Sequence, residues 1–228
     1  MACAHVQPAT VKAHAPVHSR FRTSGFRPSP QEDIGATRKP RLTCSGRSLP
    51  EQIEASAAQA AFGRRLVTNV HRGLVAEAII AHALGAAWNW CSGDYAAWDF
   101  ERSDGLRLEV KQTASRQSWH KPGQQSTGLS FDIRERTGRF EGATWIGDQR
   151  RWADLYVFAH HHVTNDAADH RDPNQWHFYV VPERALPAQK RITLSRVRRC
   201  AEAVTFERLA AVVHGSAFGR ISKVTKLC

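Results

Sequence analysis

The sequence predicts a mixed α/β domain with helices at both ends and a sheet between them. Three observations predict it. Residues 48–85 hold two segments of helical periodicity, residues 95–183 hold runs with strand character, and residues 205–215 return to a helical pattern. Folded structure is expected to start at Ser48-Leu49-Pro50-Glu51, where Ser48 and Glu51 have capping-box spacing and Pro50 falls in the first turn. A helix follows through Leu66 with a break at Gly63, and a second runs from Asn69 to about Gly85. Residues 95–102 and 105–114 read as a hairpin, and Leu129, Phe131 and Ile133 alternate as a third strand. Residues 153–161 and 176–183 are short continuous apolar runs, expected as buried central strands. The last helix is expected between an N-cap at Thr205 and a stop at Gly215.

Charge divides the chain. The 228 residues carry a net charge of +11 and a pI near 10.0, with 42% hydrophobic residues. Residues 1–47 hold eight Lys and Arg against Glu32 and Asp33, with no sustained period, and read as a disordered basic tail. A nucleic-acid-binding arm and a solvated tail are the competing readings of that segment. Residues 48–228 are the expected folded domain. The basic field favours polyanion partners, above all DNA. The apolar run 73–87 is too short for a membrane span and contains Glu77 and His82, so no membrane association is expected. No secretory signal is visible at the N-terminus. The five cysteines are scattered without a CxxC pair, which argues against a zinc ribbon and suits a reducing cytoplasm.

The hairpin carries the chemistry. Arg107, Glu109 and Lys111 share one face of its second strand, and Leu106, Leu108 and Val110 share the other. A three-residue turn, Ser103-Asp104-Gly105, puts Phe100 opposite Leu108, Glu101 opposite Arg107 and Asp99 opposite Glu109. A two-residue turn would place Phe100 against Glu109 and Asp99 against Val110, mixing polar with apolar faces. The favoured register therefore sets two carboxylates against each other, which is destabilising without a cation. Lys111 can serve, and so can a divalent metal, since Mg²⁺ is often held by one or two carboxylates. Glu77 adds a third acid. It falls on a helical stripe of Val70, Leu74, Glu77, Ala81 and Leu84 that is expected to face the sheet. A carboxylate there needs a partner from elsewhere, Arg72 or a sheet residue being the ordinary choices. Carboxylates, a lysine and a metal suit phosphodiester hydrolysis, the metal polarising the phosphoryl group and the lysine orienting water or stabilising developing charge.

The pattern Asp99-x9-Glu109-Val110-Lys111, preceded by a helix bearing Glu77, resembles the active-site motif of the PD-(D/E)XK nuclease superfamily, the restriction-endonuclease-like fold. Residues 69–186 further resemble a bacterial group of restriction-endonuclease-like proteins. The resemblance implies a mixed central sheet flanked by helices on an αβββαβ-type core, Mg²⁺ (or Mn²⁺) dependence and a DNA substrate, and it leaves room for a homodimer. It implies that Asp99 and Glu109 are metal ligands, that Lys111 is the motif lysine, and that Glu77 is the helix acid and a further metal ligand. Trp98 stands where proline is frequent, a position that varies in the superfamily. Gln112 and Gln117 are candidates for substrate contact without an assigned role.

Other features favour plainer readings. His160, His161 and His162 point in different directions on an extended chain and are expected as solvated strand-end residues whose partial protonation adds to a basic surface. Trp119 and Trp176 are expected in core or sheet-edge packing rather than stacked on bases. Arg196, Arg198 and Arg199 suit a phosphate contact and a solvated face equally. No Gly-rich phosphate loop or Ser-His-Asp pattern stands out. The leading expectation is a metal-dependent DNA nuclease. The rivals are a catalytically silent nucleic-acid-binding module on the same fold and an interaction protein with no nucleic-acid role.

Overall fold

The computed structural model describes residues 46–91 and 96–217. The predicted basic tail lies outside the described residues save for its last two positions. Two helices come first, α1 (Leu49–Phe62) and α2 (Asn69–Leu84). Then follow β1 (Trp88–Trp90), β2 (Phe100–Arg102), β3 (Arg107–Ala114), β4 (Ser130–Asp132), β5 (Arg139–Glu141) and β6 (Thr144–Ile146). The chain continues through β7 (Leu155–His161), β8 (Trp176–Pro182), β9 (Arg191–Thr193), α3 (Leu194–Cys200) and α4 (Phe206–Ala217). Glu51 caps the start of α1 by accepting the Ser48 amide at 2.6 Å and its hydroxyl at 2.9 Å.

Five strands form a mixed sheet in the order β1-β2-β3-β7-β8. Neighbours are antiparallel except β3 and β7, which run parallel. Parallel neighbours need a crossover, and here residues 115–154 supply it with β4 and the β5–β6 hairpin rather than the helix that an αβββαβ core implies. The three-strand meander is β1-β2-β3. The expected third strand at 129–133 instead forms β4, which leaves the sheet and pairs with β9. β7 is central as expected, but β8 is the edge strand, its outer side closed by the Phe178–Val204 bridge at 2.9 and 2.8 Å.

Strand alternation builds a core on each face. Leu108, Val110, Val157, Ala159, Phe178 and Val180 pack with Ile79 and Ile80 of α2 and Leu209 and Val213 of α4. Tyr156, Phe158, Tyr179 and Val181 face the other way, against Phe131 of β4, Ile192 of β9 and Val197 of α3. Burying a side chain of this size contributes about 1.5–3 kcal/mol. Residues 194–200, weighed above as phosphate contact or solvated face, thus form a helix with a buried side, and Arg198 donates to the Tyr179 hydroxyl at 3.2 Å. α4 runs through Gly215 to Ala217 instead of stopping there.

The α2 stripe differs from the expected one. Arg72, Ala76, Ile79, Ile80 and Leu84 are its buried residues, while Val70 is 82% and Leu74 41% exposed. The helix is rotated because it buries an arginine. Arg72, 1% exposed, donates to Gln112 Oε1, Gln117 Oε1 and Asn69 Oδ1, each at 2.6 Å. Gln112 and Gln117 are thereby occupied as structural acceptors.

Candidate active site

The hairpin turn forms as its sequence requires. Gly105 takes φ +83°, the Gly105 amide donates to Arg102 at 2.8 Å, and the Arg102 amide donates to Leu106 at 2.9 Å. Phe100 pairs with Leu108 and Glu101 with Arg107, the expected register. The ladder ends there. The Asp99 amide still donates to the Leu108 carbonyl at 3.0 Å and its carbonyl accepts the Cys91 amide at 2.8 Å, while its carboxylate Oδ2 accepts the Val110 amide at 2.6 Å. A side-chain oxygen thus takes a strand amide on β3, tying Asp99 beside Glu109. Trp98 lies outside the ladder, under the Arg107 guanidinium at 3.8 Å from the ring centroid.

Glu109 is 3% exposed. Its Oε1 accepts from Lys111 Nζ at 2.5 Å and from Arg136 Nη2 at 3.3 Å. Two cations on one buried oxygen offset the cost of holding that charge away from water. Among the described residues Asp99 has no such pairing. Burial pushes its carboxyl up to about 7, with Glu109 and Glu77 pushing in the same direction, against the Val110 hydrogen bond and Lys111. Glu77 is half-buried at the margin of the α2 core face, where it accepts from Trp90 Nε1 at 3.0 Å. Desolvation raises its carboxyl above the usual range, the Trp90 bond opposes this, and the charges of Glu109 and Lys111 reach it with opposite signs. The three acids and the lysine therefore share one electrostatic neighbourhood, although the stripe that predicted it was drawn on the wrong face of α2.

A cavity of about 230 Å³ opens beside Glu109 and Lys111 and is also lined by Asp132, Arg134, Arg136, Arg151, Trp152 and Tyr156. Four cations face two carboxylates in this lining. Partial burial pushes the Asp132 carboxyl up, but the Arg134 amide, its guanidinium and Lys111 outweigh that and leave it below the usual range. Burial and the charge of Glu109 raise the Tyr156 phenol, so it stays protonated. Sequence reasoning missed Asp132, Arg134, Arg136 and Arg151. The available signal for the first three was alternation: Phe131 and Ile133 are buried, which turns 132, 134 and 136 toward the other side.

The donor set fits a hard divalent cation. Carboxylate oxygens suit Mg²⁺ or Mn²⁺, which need only one or two of them plus waters. The repulsion concentrated on Asp99 is what such a cation would relieve. Among the described residues no group of three or more His, Cys, Asp or Glu side chains closes into a metal cage.

The histidines differ from expectation. His160 and His161 are buried within β7 and His170 is buried beside them. His160 bonds the Ser115 hydroxyl at 2.9 Å, and His170 accepts the Val67 amide at 3.0 Å and bonds the Arg116 carbonyl at 2.9 Å. Desolvation, with neighbouring positive groups, lowers His160 to about 3 and His161 to about 4, and desolvation lowers His170 to about 4. They are neutral and add nothing to a basic surface. Trp176 is core, as expected, whereas Trp119 is 64% exposed.

No helix among the described residues is long and apolar enough to cross a membrane. No family model matches the chain, and no curated protein matches it.

Proposed function

We propose that this chain is a metal-dependent DNA nuclease that hydrolyses phosphodiester bonds by a PD-(D/E)XK-type mechanism on a restriction-endonuclease-like fold. The observation that carries the proposal is the pairing of Asp99, raised to about 7 by burial and by two neighbouring acids, with a Glu109–Lys111 ion pair at 2.5 Å on the wall of a cationic cavity. Structural ion pairs do not ordinarily crowd acids into a desolvated corner, whereas active sites do.

A divalent cation held by Asp99 and Glu109 would supply Lewis-acid polarisation of the scissile phosphate. Lys111 orients the attacking water and stabilises charge developing on the phosphoryl oxygens. Arg136 shares Glu109 Oε1 with Lys111. Arg134 and Arg151 present guanidinium donors suited to phosphate oxygens. Glu77 supports the acid cluster from α2, its carboxylate steadied by Trp90.

Plasmid cleavage in Mg²⁺, with EDTA as control, tests this reading. Lys111→Ala is expected to lose on the order of 10²–10³ in rate. Equal rates for Lys111→Ala and wild type would sink the mechanism. One observation favours a second reading, a catalytically silent nucleic-acid-binding module: Glu109 Oε1 is already shared by Lys111 and Arg136. A titration distinguishes the two, because the silent module shows no Mn²⁺ site that depends on Asp99 and Glu109.

A further inference from the structure

The crossover between β3 and β7 carries a two-stranded ribbon whose tip is aromatic. β5 and β6 pair with Phe140 opposite Trp145, and the two rings meet edge to face at 5.0 Å. Both sit on the surface, Phe140 46% and Trp145 50% exposed. An exposed pair of large aromatic residues on a narrow ribbon leaves apolar surface in contact with water.

The indole is held in place. A Cβ on Gly138 would meet Trp145 Cζ2 at 2.6 Å and the Ile146 carbonyl oxygen at 2.3 Å. Only glycine lets the ring lie on the backbone there, so Trp145 is seated on one side and open on the other. A fixed aromatic surface loses little entropy when a second ring stacks on it.

The ribbon is rooted in the candidate active site. At its base Arg136 and Arg150 exchange backbone bonds at 3.1 Å. The Arg136 side chain reaches Glu109, and the Arg139 and Arg150 guanidiniums lie over the Trp152 ring, 4.6 and 4.0 Å from its centroid. Trp152 is itself part of the cavity wall. Four residues of extended chain, at most about 13 Å, separate Arg136 from Phe140.

We propose that the β5–β6 hairpin is a base-stacking platform, on which Trp145, braced by Phe140 and seated on Gly138, stacks against an unpaired base of the DNA strand whose phosphate enters the arginine-lined cavity. The proposal rests on the nuclease reading for the identity of its ligand, DNA. Stacking on an indole is available to any base and requires that the base be unstacked from its neighbours. The ligand class is therefore single-stranded DNA, or a duplex carrying a single-stranded overhang, in preference to a blunt duplex.

Fluorescence anisotropy in EDTA, with a labelled 20-nucleotide oligothymidylate and a blunt 20-base-pair duplex, tests it without cleavage. The wild type is expected to bind the single strand more tightly. Trp145→Ala should weaken single-strand binding by roughly 5- to 150-fold, the range for one lost base stack, and leave duplex binding within about twofold. Trp145→Phe should retain most of the affinity, which separates stacking from any loss of fold. The proposal is overturned if Trp145→Ala binds the single strand as the wild type does, if both DNAs weaken alike, or if the wild type binds neither. The two readings fail separately. A wild type that needs Trp145 for binding yet never cuts in Mg²⁺ ends the nuclease reading and supports the hairpin. One that cuts and binds without regard to Trp145 ends the hairpin proposal alone.

Discussion

β3 passes through two polar regions that treat buried charge in opposite ways. At its C-terminal end Arg72 is nearly inaccessible and has no carboxylate partner, yet three amide oxygens at 2.6 Å satisfy it. Desolvation alone lowers its guanidinium to about 10, so it remains charged. Gln117 is itself anchored by donating to the Ala114 carbonyl at 2.9 Å. Around Glu109, by contrast, Asp99 and Glu77 add negative charge that Lys111 and Arg136 do not fully balance, and Asp99 bears the excess. A closed network specifies structure, since every member already has its partners. An unbalanced one leaves a vacancy of charge that a ligand can fill. The difference separates a folding device from a candidate site within a single eight-residue strand.

The comparison is tested first where the effect is largest. Arg72→Ala strands the Gln117 oxygen in the interior, takes the donor from the half-buried Gln112 oxygen and leaves a cavity between α2 and the end of β3. It should cost about 3–5 kcal/mol in urea-induced unfolding. A cost under about 1 kcal/mol would mean that the network adds little and that the two regions do not differ as described.

The unbalanced side should respond to pH. The Asp99 carboxyl titrates near 7 in the folded chain and about 3.9 unfolded. Between those values the folded state binds the extra proton, so this group's contribution falls as pH rises and its penalty is complete above about 7. Asp99→Asn should therefore match the wild type near pH 4 and exceed it by on the order of 2–4 kcal/mol at pH 8 without metal. Millimolar Mg²⁺ should close that gap by stabilising only the wild type. The histidines act with the opposite sign. His160, His161 and His170 are held neutral below their ordinary pKa, so their contribution is lost as pH falls from about 6.5 toward 4. The Asp99→Asn variant, freed of the Asp99 penalty, should display that acid slope more plainly than the wild type. A gap between the two proteins that does not grow with pH would remove the electrostatic case for the site.

The elements that were legible in the sequence are those whose cause is local. Gly105 at the turn and the alternation from Leu106 to Lys111 were enough to set the β2–β3 register, because the two consecutive cross-strand pairs, Phe100–Leu108 and Glu101–Arg107, must agree in polarity. The acid pair Asp99 and Glu109 came with it. The α2 face was not legible. An arginine reads as solvent-facing, and Arg72 is buried only because Gln112 and Gln117, 40 and 45 positions away, supply its acceptors. β1, β5 and β6 are three residues each, too short for a period to emerge. The histidines of β7 look polar in sequence and are buried because β8 and the loop bearing His170 close over them, which no local pattern records.

The smallest effect bears on Glu77, whose place was reached from a misdrawn stripe. Trp90→Phe keeps the ring stacked on Phe100, now 6.1 Å away and nearly parallel, and removes only the Nε1 donor to Glu77. Losing one hydrogen bond to a half-buried carboxylate should cost about 1–2 kcal/mol in urea unfolding. Because that bond holds the Glu77 carboxyl down, its removal raises the carboxyl further. Wherever Glu77 titrates, the variant then holds its proton to higher pH than the wild type, and the repulsion it exerts on Asp99 is weaker there. If Glu77 belongs to the acid cluster, the Mg²⁺ midpoint of Trp90→Phe should depart from the wild-type value more at acid than at alkaline pH. A midpoint that ignores the substitution at both pH values would assign the Trp90–Glu77 bond to packing alone and leave Asp99 and Glu109 as the whole of the acid site.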